Sequence, residues 1–152
     1  MDRNYTLTSF VGALFDFSAL TYYLRLINCS LMTGSLADAP RVTYYLDLSN
    51  CTLVTGSLAD APRVTNYLRL INCSLVTGSY TWVNGANVPT YTYLDYTGIS
   101  STDMDATLIA YASCTKDNGT FRADGMTRTS ASDAAVANLT ARGWAISGLT
   151  TV

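Results

Sequence analysis

No histidine, glutamate or glutamine occurs among the 152 residues, and Lys116 is the only lysine. All eleven acidic residues are therefore aspartates. Histidine is the usual general base, nucleophile partner or metal ligand near neutral pH. Its absence excludes Ser-His-Asp, Cys-His and His-zinc chemistry together, and no cofactor or metal is expected. The formal charge is only −2, so no basic surface recommends nucleic acid or an anionic membrane as partner. No apolar run reaches membrane-spanning length, since the best candidate, residues 10–14, is soon followed by Asp16, and membrane insertion is not expected. Met1-Asp2-Arg3 lacks the basic region of a secretory signal, so export would need another route, such as lysis. No phosphate-cradling glycine loop is present. Abundant Thr and Tyr, with so little Lys and no Glu or Gln, favour strands and turns over long solvated helices. The length suits one domain with a substantial core.

What the chain does contain is an internal repeat. Residues 24–31 read LRLINCSL, and residues 68–75 read the same. Residues 33–43 read TGSLADAPRVT, and residues 55–65 repeat them letter for letter, at a period of 22. At that period Leu24, Leu46 and Leu68 fall in register, as do Leu26, Leu48 and Leu70, then Cys29, Cys51 and Cys73, then Gly34, Gly56 and Gly78. A unit this short cannot bury its own apolar face and must stack on its neighbours. The two leucines of Leu-x-Leu point the same way from a short strand. Gly frees the backbone of the following turn, and Pro40 and Pro62 exclude a regular helix on the return side.

The unit Leu46-x-Leu48-x-x-Cys51-x-Leu53 resembles the core of a leucine-rich repeat. The resemblance implies an α/β, β-rich solenoid, a right-handed coil with short parallel strands. Residues 1–19 then form a degenerate half-coil, in which Gly12, Leu14, Asp16 and Leu20 match Gly34, Leu36, Asp38 and Val42. Residues 1–9 are expected to lack the strand. Residues 20–85 hold three repeats, and residues 86–152 hold an enlarged loop and a cap. A fourth strand is placed at Tyr93-Leu94-Asp95-Tyr96, with Tyr93 as the counterpart of Tyr67, which makes residues 80–90 the enlarged loop.

The remainder reads strand–helix–strand–helix–strand. Thr102 and the acids Asp103 and Asp105 open a helix, with Met104, Leu108, Ile109 and Ala112 as its apolar face. Residues 120–123 form a strand after the Asn118-Gly119 turn. Ser130 or Ser132 caps a second helix carrying Ala135, Val136 and Leu139, which Gly143 ends. Residues 144–147 close the chain as a strand. Asp105-Ala106-x-Leu108-x-Ala110, Asn118-Gly119-Thr120, Thr-Ser-Ala-Ser-Asp-Ala-Ala at 129–135 and Leu139-x-Ala141-Arg142-Gly143-Trp144 resemble the closing segment of leucine-rich-repeat proteins from phages and phage-derived bacterial loci. Covering roughly residues 10–148, this resemblance implies a virion-associated or extracellular bacterial context, without chemistry.

Alternation along the strands places two columns on the sheet surface. One is Tyr23, Tyr45, Tyr67 and Tyr93. The other is Arg25, Asp47, Arg69 and Asp95, alternating in sign. Equivalent positions in a parallel stack lie about 4.8 Å apart, so rings can stack and each Arg can pair with an Asp of the next coil. The columns can be a recognition surface, since Tyr and Arg are common hot spots, or a self-satisfied ladder fixing the register. The ladder is preferred, because alternating charge neutralises the face. Tyr80, Trp82 and Tyr91 offer a possible loop contact for a glycan, with packing over the coils as the simpler role. Cys29, Cys51 and Cys73 read as buried thiols rather than a metal site. The triplets opening at Asn28, Asn50 and Asn72 fit a glycosylation sequon by chance. Asp103 and Asp105 are explained by a helix start, without calcium. The resulting expectation is a non-enzymatic structural or adhesive protein, a self-assembling extracellular fibre or phage virion subunit whose main partner is itself. The alternative is a monomeric module that binds a host surface protein or glycan through its tyrosines.

Overall fold

Residues one repeat apart become lateral neighbours. Tyr23 pairs with Tyr45 and Tyr45 with Tyr67, so the sequence period is the register of a parallel sheet. The structure, a computed structural model, describes the backbone of residues 4–81 and 88–152. The first strands are β1 (Asn4–Leu7), β2 (Tyr23–Leu26) and β3 (Gly34–Ser35). Next come β4 (Tyr45–Asp47), β5 (Val54–Ser57), β6 (Tyr67–Arg69) and β7 (Leu75–Thr77). Strand β8 (Tyr91–Tyr93) leads into helix α1 (Ser101–Ala112), β9 (Thr120–Arg128), helix α2 (Asp133–Ala141) and β10 (Ala145–Thr151). Among the described residues these make an α/β protein with two parallel sheets. The larger has the order β1-β2-β4-β6-β8-β9-β10 and the smaller β3-β5-β7.

The leucine columns fill the space behind the larger sheet. Leu24, Leu26, Leu46, Leu48, Leu68 and Leu70 are fully buried. Each contributes about 1.5–3 kcal/mol relative to an exposed leucine. Behind them run further columns at the same period: Met32, Val54 and Val76, then Leu14, Leu36, Leu58 and Tyr80. On the return side, Ser35 and Ser57 cap single 3-10 turns at Leu36–Asp38 and Leu58–Asp60, accepting from Ala37 N and Ala59 N at 3.2 and 3.1 Å. Ala39 and Ala61 are then extended (ψ 145° and 144°), because a residue before proline avoids the helical region. Gly56 has φ +105°, and a Cβ there would lie 2.5 Å from Ser35 Oγ, so the turns stack only without a side chain.

Three expectations are corrected. Residues 4–7 do form a strand, paired parallel to β2 with Asn4 beside Tyr23. The sequence hides it because the step from Asn4 to Tyr23 is shorter than the period, and Tyr5 stands where later strands carry leucine. Strand β8 takes a different register from the one expected, since Tyr67 pairs with Tyr91 and Arg69 with Tyr93. Leu94 thereby takes the slot of the second leucine and Thr92 that of the first. Ile109 is half exposed and does not belong to the apolar face of α1, which instead buries Met104, Leu108 and Tyr111.

The strand–helix–strand–helix–strand ending is present. Ser100 caps α1, accepting from Asp103 N at 3.1 Å and donating to Asp103 Oδ2 at 2.7 Å. Helix α1 packs on α2 and β9. Ser132 occupies the N-cap position of α2 without a capping bond from its side chain, while Thr129 caps the preceding 3-10 turn. Gly143 ends α2 with φ +80°.

Candidate functional site

The short strands of the larger sheet set four tyrosines side by side. Tyr23 stacks on Tyr45 with ring centroids 4.4 Å apart, Tyr45 meets Tyr67 at 5.1 Å with a 41° tilt, and Tyr67 stacks on Tyr91 at 4.4 Å. The fourth member is thus Tyr91 and not Tyr93, as the register of β8 requires. A second stack lies beside it, Tyr22 on Tyr44 at 4.9 Å and 6°. Its signal was available in the Tyr-Tyr pairs at 22–23 and 44–45. Stacked rings cover one another's faces, so solvent meets mostly ring edges and hydroxyls. Burial raises the phenols of Tyr45 and Tyr67 above their ordinary value, with further upward shifts from Asp47 and Tyr23 at Tyr45 and from Tyr91 and Tyr93 at Tyr67. Both stay protonated at neutral pH.

The neighbouring column reads Arg25, Asp47, Arg69, Tyr93, Arg122. Asp47 is fully buried beneath the two arginines, with Oδ2 3.6 Å from Arg25 Nε and 3.6 Å from Arg69 Nη1. Ser49 holds it from below, donating from N at 3.0 Å and from Oγ at 2.5 Å to Oδ1. Tyr93 stands where an acid was expected. Its ring lies between two guanidinium groups, Arg69 Cζ and Arg122 Cζ each 5.1 Å from the centroid, which is a cation–π arrangement on both faces. Asp95 is not in this column at all. It is buried, accepts from Arg122 Nε and Nη2, and takes Asp124 N at 2.7 Å. That bonding to Asp95 holds the Arg122 guanidinium above its usual range. The acids therefore lie under the surface, and the arginines, each about one-third exposed (38, 32 and 37 %), cover them.

The remaining candidates sit elsewhere. Tyr80 is no loop contact. It fills the column of Leu36 and Leu58, which the period of 22 already marks, and its ring meets Tyr111 at 5.6 Å. Burial pushes its phenol up to about 12, and its hydroxyl has no hydrogen-bond partner among the described residues. Trp82 lies outside the described residues. Cys29, Cys51 and Cys73 are free and buried. Cys51 Sγ donates to Leu26 O at 3.4 Å and Cys73 Sγ to Leu48 O at 3.1 Å. Burial pushes both thiols up to about 12, far from the thiolate form that binds metal or attacks. The asparagines of the three triplets make a ladder. Asn50 Nδ2 donates to Asn28 Oδ1 at 2.8 Å and Asn72 Nδ2 to Asn50 Oδ1 at 2.6 Å. All three are left-handed (φ 58°, 62° and 58°), a conformation that Asn tolerates better than most residues.

Asp103 is the bonding partner of the cap residue Ser100, as described above, and Asp105 does something the sequence reading missed. Buried on α1, it accepts from Thr129 N and Oγ1 and from Ser132 Oγ, and so fixes the corner between β9 and α2. Burial alone would raise its pKa, but these hydrogen bonds outweigh it and hold the carboxyl below its ordinary value. Lys116 Nζ donates to Thr65 O at 2.8 Å, Val88 O at 2.6 Å and Thr90 Oγ1 at 3.3 Å, which uses all three protons. A groove of about 540 Å³ on the return side is lined by small residues, among them Ala37, Ala59 and Ala61, and by Arg41, Asp60 and Arg63. Among the described residues no group of three or more metal-ligating side chains converges, and no helix is long and apolar enough to cross a membrane. No protein-family model matches the chain, and no curated protein or solved structure is significantly similar to it.

Proposed function

We propose that this chain is a leucine-rich-repeat solenoid with an α/β cap, and that it works without catalysis as a self-assembling structural or adhesive subunit. An extracellular fibre or a phage virion part is the context that the sequence resemblance implies. One observation carries the reading: aromatic and charged side chains of the larger sheet meet partners on the neighbouring strand. Tyrosine rings stack on tyrosine rings, Asp47 lies between Arg25 and Arg69, and Tyr93 between Arg69 and Arg122. Such contacts between neighbouring strands fix register, although Arg25 Nε and Arg69 Nε are buried without a hydrogen-bond partner among the described residues. The inner rings of the longer stack, Tyr45 and Tyr67, meet another ring on each side, which makes them a poor sugar platform. Electron microscopy of the undenatured protein tests the reading. Fibres or regular multimers are expected, and dispersed monomers would overturn it.

The second reading is a monomeric recognition module for a host surface protein or glycan. In its favour, three arginines stand partly exposed beside the tyrosines over buried acids. Tyr45→Ala separates the two: loss of binding with intact assembly supports the module, whereas loss of assembly or stability supports the ladder.

A further inference from the structure

The two outermost strands of the larger sheet carry no charge, a property they share with the inner strand β8. Strand β1 reads NYTL and β10 reads AISGLTT, with no charged residue and no proline. The sheet's charges lie on strands between them: Arg25 on β2, Asp47 on β4, Arg69 on β6, and Arg122, Asp124 and Arg128 on β9. Proteins that stay monomeric usually place lysine, proline or other charge on the edges. Neither β1 nor β10 carries such a guard.

The edges also match in direction and bonding. All pairings of the sheet are parallel, so β1 and β10 run the same way. Leu7 O accepts Ile27 N at 2.9 Å, so Tyr5 and Leu7 turn their backbone groups to β2 and, by alternation, Asn4 and Thr6 turn theirs outwards. Ala145 N donates to Gly119 O at 2.9 Å, so Ile146 turns its groups outwards on the opposite edge. Apolar side chains near both ends are incompletely covered. Leu7 and Phe10 at one end, and Ile146 and Leu149 at the other, are only partly buried against the core, whereas the leucines of β2, β4 and β6 are fully buried.

Resting on the self-assembling reading, we propose that β1 of a second copy of this chain docks in parallel on β10. Ile146 N–H donates to Asn4 O of the second copy, and Thr6 N–H of that copy donates to Ile146 O. The joint uses the segment before Gly148, where the pairing of β10 with β9 shifts register. It places Thr6 of one copy beside Ser147 of the other, continuing the column of Arg25. A two-fold pairing of β10 with itself would leave β1 uncovered, whereas the head-to-tail joint covers both edges. A contact of this kind does not close on itself and gives an open filament.

The test is a Thr6→Cys/Ser147→Cys double variant of the full chain, mildly oxidised and run on a non-reducing denaturing gel. Neighbouring strands hold equivalent Cα atoms about 4.8 Å apart, within disulfide reach, and the native thiols are buried. A ladder of covalent multimers is expected from the double variant and not from either single one. In parallel, Thr6→Pro removes one outward N–H at an edge that tolerates proline, and should weaken association about tenfold. If the native chain assembles, yet the pair gives no ladder and Thr6→Pro assembles like the native chain, this joint is wrong and self-assembly stands on another surface. If the native chain stays monomeric at every concentration, the self-assembling reading falls with it.

Discussion

In residues 21–77 the asparagine and threonine ladders bond like to like one repeat away; in residues 91–151 polar side chains bond residues of a different kind. Asn50 bonds Asn28 and Asn72, and Thr65 Oγ1 donates to Thr43 O as Thr43 Oγ1 does to Thr21 O. In the second region Asp105 binds Thr129 and Ser132, Arg142 Nε donates to Asp117 at 2.8 Å, and Trp144 Nε1 donates to Lys116 O at 2.9 Å. A periodic sequence solves each bonding problem once and copies the solution. Where the period stops, every buried polar group needs its own arrangement. Loss of a periodic contact should therefore leave equivalent contacts above and below, and loss of a unique one should free a whole corner.

The contrast meets its hardest test in the core. Leu46→Ala, at the centre of a column, is expected to cost about 2–5 kcal/mol in urea unfolding, the range for a buried leucine. Leu108→Ala in α1 is its counterpart outside the repeats. Equal costs with equal cooperativity would mean that the two regions unfold as one unit. Asp105→Asn comes next, at about 1–3 kcal/mol for a buried acceptor left poorly matched. Its folded pKa lies below the unfolded value of about 3.9. The stabilisation is therefore present above that unfolded value and lost as pH falls through the folded pKa. Acid titration of stability should show a flatter limb in the variant.

Smaller effects probe the periodic side. Asn50→Ala loses two ladder bonds and places alanine at φ 62°, for about 1–2 kcal/mol. Asn50→Gly keeps the backbone easy and should cost less, so thermal unfolding of the pair divides the bond from the strain. Tyr44→Ala removes a stacked pair at the surface, with an expected cost of about 0.5–1.5 kcal/mol. Near-ultraviolet circular dichroism should report the loss of the stack even where the change in stability is near the lower figure.

The repeats were legible because identical residues at a fixed period leave one register open. Leucine, cysteine and glycine columns followed directly, and the burial of Tyr80 was available from the same count. Strand β8 was misplaced because Tyr93-Leu94-Asp95 copies the letters of Tyr45-Leu46-Asp47. The true register puts Thr92 in a core leucine slot, where its hydroxyl meets the Tyr111 hydroxyl at 2.8 Å. That partner comes from α1, and no local pattern announces it. Strand β1 escaped for a related reason, since a shorter stretch of chain separates it from the next strand of its sheet. The roles of Asp95 and Asp105 depend on Arg122, Thr129 and Ser132, all far from them in sequence.

The burial of Asp47 between Arg25 and Arg69 bears on how a gene for such a chain can change length. Dropping the unit that carries Asp47 would bring Arg25 directly beside Arg69, with no acid between them. Dropping or adding two units keeps positive and negative residues in phase. The strand segment follows that alternation, since residues 24–31 recur unchanged at 68–75 while the copy between them reads LDLSNCTL, whereas the return segment 33–43 recurs after a single period at 55–65. Loss of the Asp47 unit alone therefore carries an electrostatic penalty that loss of a pair of units avoids.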